Sequence, residues 1–208
     1  MSARYAAGST LEDRAAARRA ALVEAGVELL GTEGAAGVTV RAACRATKLS
    51  ERYFYESFEG RDALLRAVHD QVAGEARAAI TAAVASAASV DPERVARTAV
   101  AAFTAFLEAD PRRGRVLLSE SFSDTVLARH DLELIPAFAA LLVAQIRALP
   151  DPPDATDAEL TAVALLGALR TLYLAWLEAD PPIPSARLNA HAARLIVAAA
   201  RVSSRDAT

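Results

Sequence analysis

Cysteine is all but missing from this sequence. Cys44 stands alone among 208 residues, which rules out an intrachain disulfide or a cysteine-based zinc site and gives no sign of an oxidising compartment. Histidine is nearly as scarce: His69, His130 and His191 lie far apart, with no HExxH or ExxH pairing, and no GxSxG turn or phosphate-cradling glycine loop occurs. The motifs of the commoner hydrolases, zinc enzymes and nucleotide-binding enzymes are therefore lacking. The carboxylate pairs Glu108/Asp110 and Glu178/Asp180 are two residues apart, so neither pair shares a helix face as an inward-facing metal site on helices requires. The expectation is a protein that is not an enzyme, with no catalytic residue, no metal and no cofactor.

Long apolar runs are also short of what a bilayer demands. Residues 134–146 form one of the longest uncharged stretches, against about 20 residues for a spanning helix, and the start MSARYAAGSTLEDR has no signal-peptide core. A soluble cytoplasmic protein with no membrane partner is expected. Period-two alternation and Val/Ile/Thr-rich runs are missing too, which argues against a sheet.

What remains is a composition 53% hydrophobic and 24% charged, with only nine Gly and nine Pro, as a packed protein of long elements has. The net charge of −3 is not the footprint of a basic nucleic-acid binder. The charge is nevertheless unevenly spread: residues 1–66 balance at +1 and the rest at −4, and residues 39–61 hold five cations against three anions. Any affinity for DNA must come from placed contacts.

Apolar spacing and breakers give an all-α chain of about nine helices. The first covers residues 12–32, with Leu22, Gly26, Leu29 and Leu30 on one face, and ends at Gly34 and Gly37. Thr39 caps a short helix over 40–46, residues 47–50 form a turn, and Ser50 caps a second short helix over 51–57, which together make a helix-turn-helix pattern. A long helix over 61–86 links this module to the remainder. Further helices are expected from Asp91-Pro92 to Asp110, over 112–120, over 123–149 with a kink or break near Leu134 caused by Pro136, over 155–179 and over 185–202. The penultimate helix is apolar nearly all round, which asks for a second subunit as its cover. The domain reading is an N-terminal arm (1–11), a helix-turn-helix domain (12–60) and a helical ligand-binding and dimerisation domain (61–208).

Four of the chain's eleven aromatics, Tyr53, Phe54, Tyr55 and Phe58, fall within six residues of the second short helix. Phe54 and Phe58 are four apart and share a face that can join Leu22, Val40 and Leu49. Tyr53 and Tyr55 point elsewhere, where they either cover the small core or present rings and hydroxyls to sugar and phosphate. Arg61, in the first turn of the long helix, opposes the macrodipole by about 0.3–1 kcal/mol unless an anion lies there. That anion is a DNA phosphate if the side chain does not simply bend into solvent.

The segment TVRAACRATKLSERYFYESFEGRDALL, residues 39–65, resembles the DNA-binding signature of the tetracycline-repressor family. The order of Thr-Val, an alanine-rich short helix, Ser, an aromatic pair ending in Tyr, then Phe and Ala-Leu-Leu carries the likeness. Two positions depart: Lys48 stands where the turn usually has glycine, and Ser57 where many members have histidine. The resemblance implies phosphate contacts at Thr39, Tyr55 and Arg61, and a group near base edges made of Ser50, Glu51, Arg52 and Tyr53, with Lys48 in the turn beside them. It further implies a ligand-responsive regulator, in the family's usual mode a repressor, whose homodimer closes through the last two helices and holds a palindromic operator in double-stranded DNA until a small-molecule effector releases it.

The same resemblance implies a cavity among the helices of residues 92–179, for which Phe103, Phe106, Phe122, Phe138, Leu142, Leu166, Arg170 and Tyr173 are the candidate lining. Aromatics at helical spacing serve equally as core. Arg170 is the only charge between Glu159 and Glu178; it meets a ligand carboxylate, an acid of a partner subunit, or solvent. The alternative from a different class is a helical small-molecule-binding protein with a degenerate DNA-binding module.

Overall fold

The computed structural model describes residues 10–89, 91–149 and 151–203. All of the expected N-terminal arm except Thr10 and Leu11 lies outside the described residues, as does Pro150 of the loop expected before residue 155. Among the described residues the chain forms nine α-helices and no strand.

Helix α1 (Leu11–Glu33) starts one residue before the expected position because of a capping box: Thr10 Oγ1 accepts from Asp13 N–H at 3.1 Å while Asp13 Oδ2 accepts from Thr10 N–H at 2.8 Å. It buries Leu22, Val23, Val27, Leu29 and Leu30. Gly26 lies where α1 touches α4; a Cβ there would come within 2.5 Å of Val68 Cγ2. A 3₁₀ turn (Ala35–Gly37) then leads into α2 (Val40–Thr47) and α3 (Glu51–Ser57). Thr39 caps α2 by accepting from Ala42 N–H at 3.1 Å. Phe54 and Phe58 insert between α1 and α4, both buried, with ring centroids 5.8 Å apart.

The turn between α2 and α3 carries backbone strain where the sequence departs from its resemblance. Lys48 sits in the left-handed region at φ 58, ψ 24 as the residue after α2, a conformation glycine adopts freely and a Cβ disfavours. Lys48→Gly is expected to stabilise the module by about 0.5–1 kcal/mol, the relieved strain being partly offset by glycine's looser unfolded chain. A rise in the urea midpoint checks it, and an unchanged or lower midpoint would show that the turn is unstrained.

Helix α4 (Arg61–Ala87) runs from the N-terminal module into the larger bundle, burying Leu64, Leu65, Val68, His69, Val72, Ala73 and Ala76. Helix α5 (Pro92–Ala109) is capped by Asp91 and packs on α4 and on α9 (Ser185–Ser203). The helix expected over 112–120 is instead three pieces: α6 (Pro111–Gly114), a π turn (Arg115–Ser119) and a 3₁₀ turn (Glu120–Phe122). The cause is tertiary, since Arg115 and Glu120 both turn toward the end of α1. Helix α7 (Thr125–Arg147) continues through Pro136 as one helix, so of the kink or break expected near Leu134 the break does not occur. The carbonyl that proline leaves without a donor belongs to Leu132, which is exposed, and water can satisfy it.

Helix α8 (Ala155–Leu177) is long and apolar enough to cross a membrane by length and composition, with a mean hydropathy of 1.6 over its best 18-residue window. This corrects the expectation that no stretch qualifies. Here the helix packs on α7 and α9 while Leu160, Val163 and Leu177 stay exposed.

Candidate nucleic-acid interface and internal cavity

The helix-turn-helix is built so that its apolar side chains turn in and its polar ones turn out. Thr39, Lys48, Ser50, Glu51, Arg52, Tyr53 and Tyr55 are all exposed, with Tyr53 at 41% and Tyr55 at 57%. Arg41 Nε lies 4.0 Å from Glu51 Oε1, which brings the N-terminal turns of α2 and α3 side by side. Arg41, at 90% side-chain exposure, is the group that sequence reasoning overlooked on this surface; its place two residues after the Thr39 cap was the available signal. The two tyrosines differ in setting. The Arg18 guanidinium stacks on Tyr53 at 4.6 Å and also reaches Glu56 at 3.6 Å, so Tyr53 covers the flank of α1, whereas Tyr55 meets the buried Phe54 edge-on and is otherwise open. Glu56 is doubly compensated by Arg18 and Arg52, which removes one of the charges that would repel phosphate.

Arg61 is not part of that surface. Its Nε donates to Val38 O at 3.0 Å, and its Nη2 to Ala35 O at 2.8 Å and to Asp124 Oδ2 at 2.9 Å. The anion at this helix start is Asp124 of the same chain, at the N-cap of α7. Burial pushes the Asp124 carboxyl up, but its bonds to Arg61 and to the Leu127 and Val126 amides prevail and hold it below the usual carboxylate range.

Three more contacts join the module to the bundle beside Arg61. Glu120 Oε2 accepts from Ala35 N–H at 2.8 Å, Arg115 Nη1 donates to Thr32 O at 2.7 Å, and Arg112 pairs with Glu28. Glu120 is itself buried and bonded to Arg115 Nε at 2.7 Å. Gly34 makes room for this latch: its φ is 77, and a Cβ would lie 2.6 Å from Arg115 Nη2. None of the three pairings between module and bundle carried a sequence signal, because their partners lie more than 80 positions apart in the chain.

A cavity of about 640 Å³ opens within the bundle, between α4, α5, α7, α8 and α9. Six of the eight expected residues, Phe103, Phe138, Leu142, Leu166, Arg170 and Tyr173, line it. Phe106 and Phe122 do not. Phe106 belongs to the core below, under the Arg113 guanidinium at 4.1 Å; Phe122 is 72% exposed and stacks on Arg170 from outside at 4.6 Å. The walls missed by sequence reasoning, such as Ile80, Val84, Val95 and Ile196, come from α4, α5 and α9 and look like ordinary core positions in the sequence.

Polar groups in the walls are few. The Tyr173 hydroxyl lies 2.9 Å from Thr104 Oγ1 and 3.2 Å from Val100 O, and burial pushes its pKa up to about 12, so it stays neutral. Arg170, part-buried, turns to groups of its own chain. Its Nη1 pairs with Asp131 on α7, and its Nη2 donates to Leu118 O at 3.0 Å and to Ser121 Oγ. The segment that Arg170 holds, residues 118–121, is the one that carries Glu120.

Residues 22–68 match the family described as bacterial regulatory proteins, tetR family, and residues 91–198 match the family described as tetracyclin repressor-like, C-terminal domain. No curated protein matches the chain. Among solved structures it is similar to FadR, a fatty acid degradation regulator from Bacillus halodurans, at 17% identity over 86% of this chain and 94% of that one, with a TM-score of 0.71. It is also similar to the transcriptional regulator FadR from Bacillus subtilis, solved in complex with stearoyl-CoA, at 14% identity over 86% and 98%, TM-score 0.73, and to a transcriptional regulator from Pseudomonas aeruginosa PAO1 at 23% identity over 92% and 94%, TM-score 0.70. At such identities the likeness is one of fold.

Proposed function

Since the chain belongs to the tetracycline-repressor family of bacterial regulatory proteins, we propose that it is a cytoplasmic homodimeric repressor, released from a palindromic operator when a small molecule enters the cavity. Residues 12–60 serve as the DNA-binding domain and residues 61–208 as the ligand-binding and dimerisation domain. The observation that carries this reading is a continuous linkage. Arg170 in the cavity wall holds Leu118 and Ser121, and Glu120 between them holds the Ala35 amide of the DNA module. A ligand that shifts Arg170 therefore pulls on the module, and differential affinity for the two placements lowers DNA binding.

Dimerisation is supported by α8, whose exposed residues Leu160, Ala164, Ala168 and Ala175 form a flank of apolar and small side chains suited to the same helix of a second copy. The stearoyl-CoA of the Bacillus subtilis protein makes an elongated apolar effector the natural first class to consider here. Base reading falls to Ser50, Glu51, Arg52 and Tyr53 at the start of α3. Phosphate contacts fall to Thr39, Tyr55 and Lys48, with the overlooked Arg41 added to them.

Selection of bound sequences from random duplex DNA tests the reading. An inverted repeat is expected, with Arg52→Ala weakening binding about tenfold and relaxing preference at one position per half-site, and Tyr55→Phe, which loses only the hydroxyl, weakening all sequences alike. If no sequence is enriched, the alternative of a small-molecule-binding protein with a degenerate module takes its place.

A further inference from the structure

We propose that Lys48 is a site of covalent regulation, where acylation of the side-chain amine by an acyl phosphate removes a cation from the DNA-facing surface and weakens DNA binding. This deepens, and rests on, the reading of the helix-turn-helix as the DNA-binding element. Of the chain's 23 basic residues Lys48 is the only lysine, so it carries the only side-chain amine, the group whose charge acylation removes. It stands exposed in the turn between α2 and α3. The backbone there is pinned, with Leu49 N–H donating to Cys44 O at 3.1 Å, and it is left-handed at φ 58. Glycine would hold that conformation without strain, so a side chain is kept here at a cost. A phosphate contact alone is served at least as well by arginine, which fills the other basic positions; what lysine adds is a nucleophilic nitrogen.

Residues 39–61 hold five cations, and three of them already answer to carboxylates. Arg61 pairs with Asp124 at 2.9 Å, Arg52 with Glu56 at 3.2 Å, and Arg41 approaches Glu51 at 4.0 Å. Arg45 and Lys48, both exposed, have no ion pair and no hydrogen bond to their side chains among the described residues. These two are left free for phosphate. With residues 1–66 balanced at only +1, the loss of one charge takes the module to neutrality. The same cations draw the phosphate of a small acyl donor, which brings its carbonyl to the amine. In its neutral form Lys48 Nζ attacks that carbonyl carbon. The N–C bond forms as the C–O bond to phosphate breaks, inorganic phosphate leaves with the electron pair, and the surplus amine proton passes to solvent. The product is an amide with no charge to set against a DNA phosphate.

The test treats the full chain with acetyl phosphate and follows two readouts. Trypsin cuts after Lys48 in the free protein but not after the amide forms, so an intact 46–52 peptide carrying one acetyl group reports the modification. Affinity is measured on a random-sequence duplex at low salt, because losing a phosphate contact weakens all sequences alike. Acetylation is expected to lower affinity about tenfold or more and to flatten the log-log salt dependence by about two, one for each subunit of a dimer. Lys48→Gln, which carries a neutral amide, is expected to match the acetylated protein and to ignore the reagent. Lys48→Arg, which keeps the charge and lacks the amine, is expected to bind alike before and after treatment. A Lys48 left unmodified under conditions that acetylate free lysine overturns the proposal, as does full modification with affinity and salt slope unchanged. An equal loss in treated Lys48→Arg also overturns it, by placing the effect at another nucleophile. If the untreated protein binds no duplex, the DNA-binding reading falls and the switch with it.

Discussion

Phe54→Ala is expected to cost about 3–5 kcal/mol and to abolish DNA binding at temperatures where the wild type still binds. Phe54 is fully buried, in contact with the rings of Tyr55 and Phe58, in a core it shares with Leu22, Leu30, Val38 and Leu64. The module is small and α3 has only seven residues, too few to hold helical form without tertiary contacts. Truncating the ring leaves a cavity that such short elements cannot close by shifting, because α1 already meets α4 with Gly26 closely against Val68. Circular dichroism and duplex binding followed across temperature check it. A variant that bound operator at the wild-type midpoint would mean that the module's stability resides in α1 and α4 alone.

Glu120→Ala has the second largest expected effect, about 3 kcal/mol of stability, with the ligand response blunted as well. The carboxylate is buried and holds three donors: Ala35 N–H, Arg115 Nε and Ser123 Oγ, at 2.8, 2.7 and 3.3 Å. Without it the Ala35 amide is left with no acceptor, and Arg115 keeps only its bond to Thr32 O. Glu120→Gln separates the two consequences, since the amide oxygen can still accept from Ala35 while the charge opposite Arg115 is lost. Unfolding midpoints report the stability, and operator affinity with and without a bound effector reports the response. A Glu120→Ala protein of wild-type stability, or one in which effector still released DNA fully, would remove the latch from the mechanism and leave Arg61–Asp124 as the connection to be tested.

Much of the fold was legible because its signals are local. Thr39, Ser50, Asp91-Pro92, Gly34 and Gly37 mark helix ends, and a 3.6-residue apolar period runs between them. Where the reading failed, a distant partner had intervened. The helix expected over 112–120 breaks into α6 and two turns as Arg115 and Glu120 reach back to Thr32 and Ala35. Phe106 and Phe122 have the composition of pocket residues, yet one lies under Arg113 and the other outside on Arg170.

The sequence by itself determined the class of the protein: helical, without disulfide, strand-like run or recognisable catalytic motif, with a helix-turn-helix whose Phe54 and Phe58 face inward and whose Tyr55 does not. Periodicity and capping decide these things over spans of four to eight residues, and they survive any arrangement of the rest. Only the tertiary structure decided what each charged side chain answers to. Arg61 meets Asp124 across 63 positions, Glu120 meets Ala35 across 85, and Arg170 meets Asp131 across 39. A guanidinium carries the same charge and reach wherever it stands, so only packing chooses between phosphate, solvent and a carboxylate of its own chain.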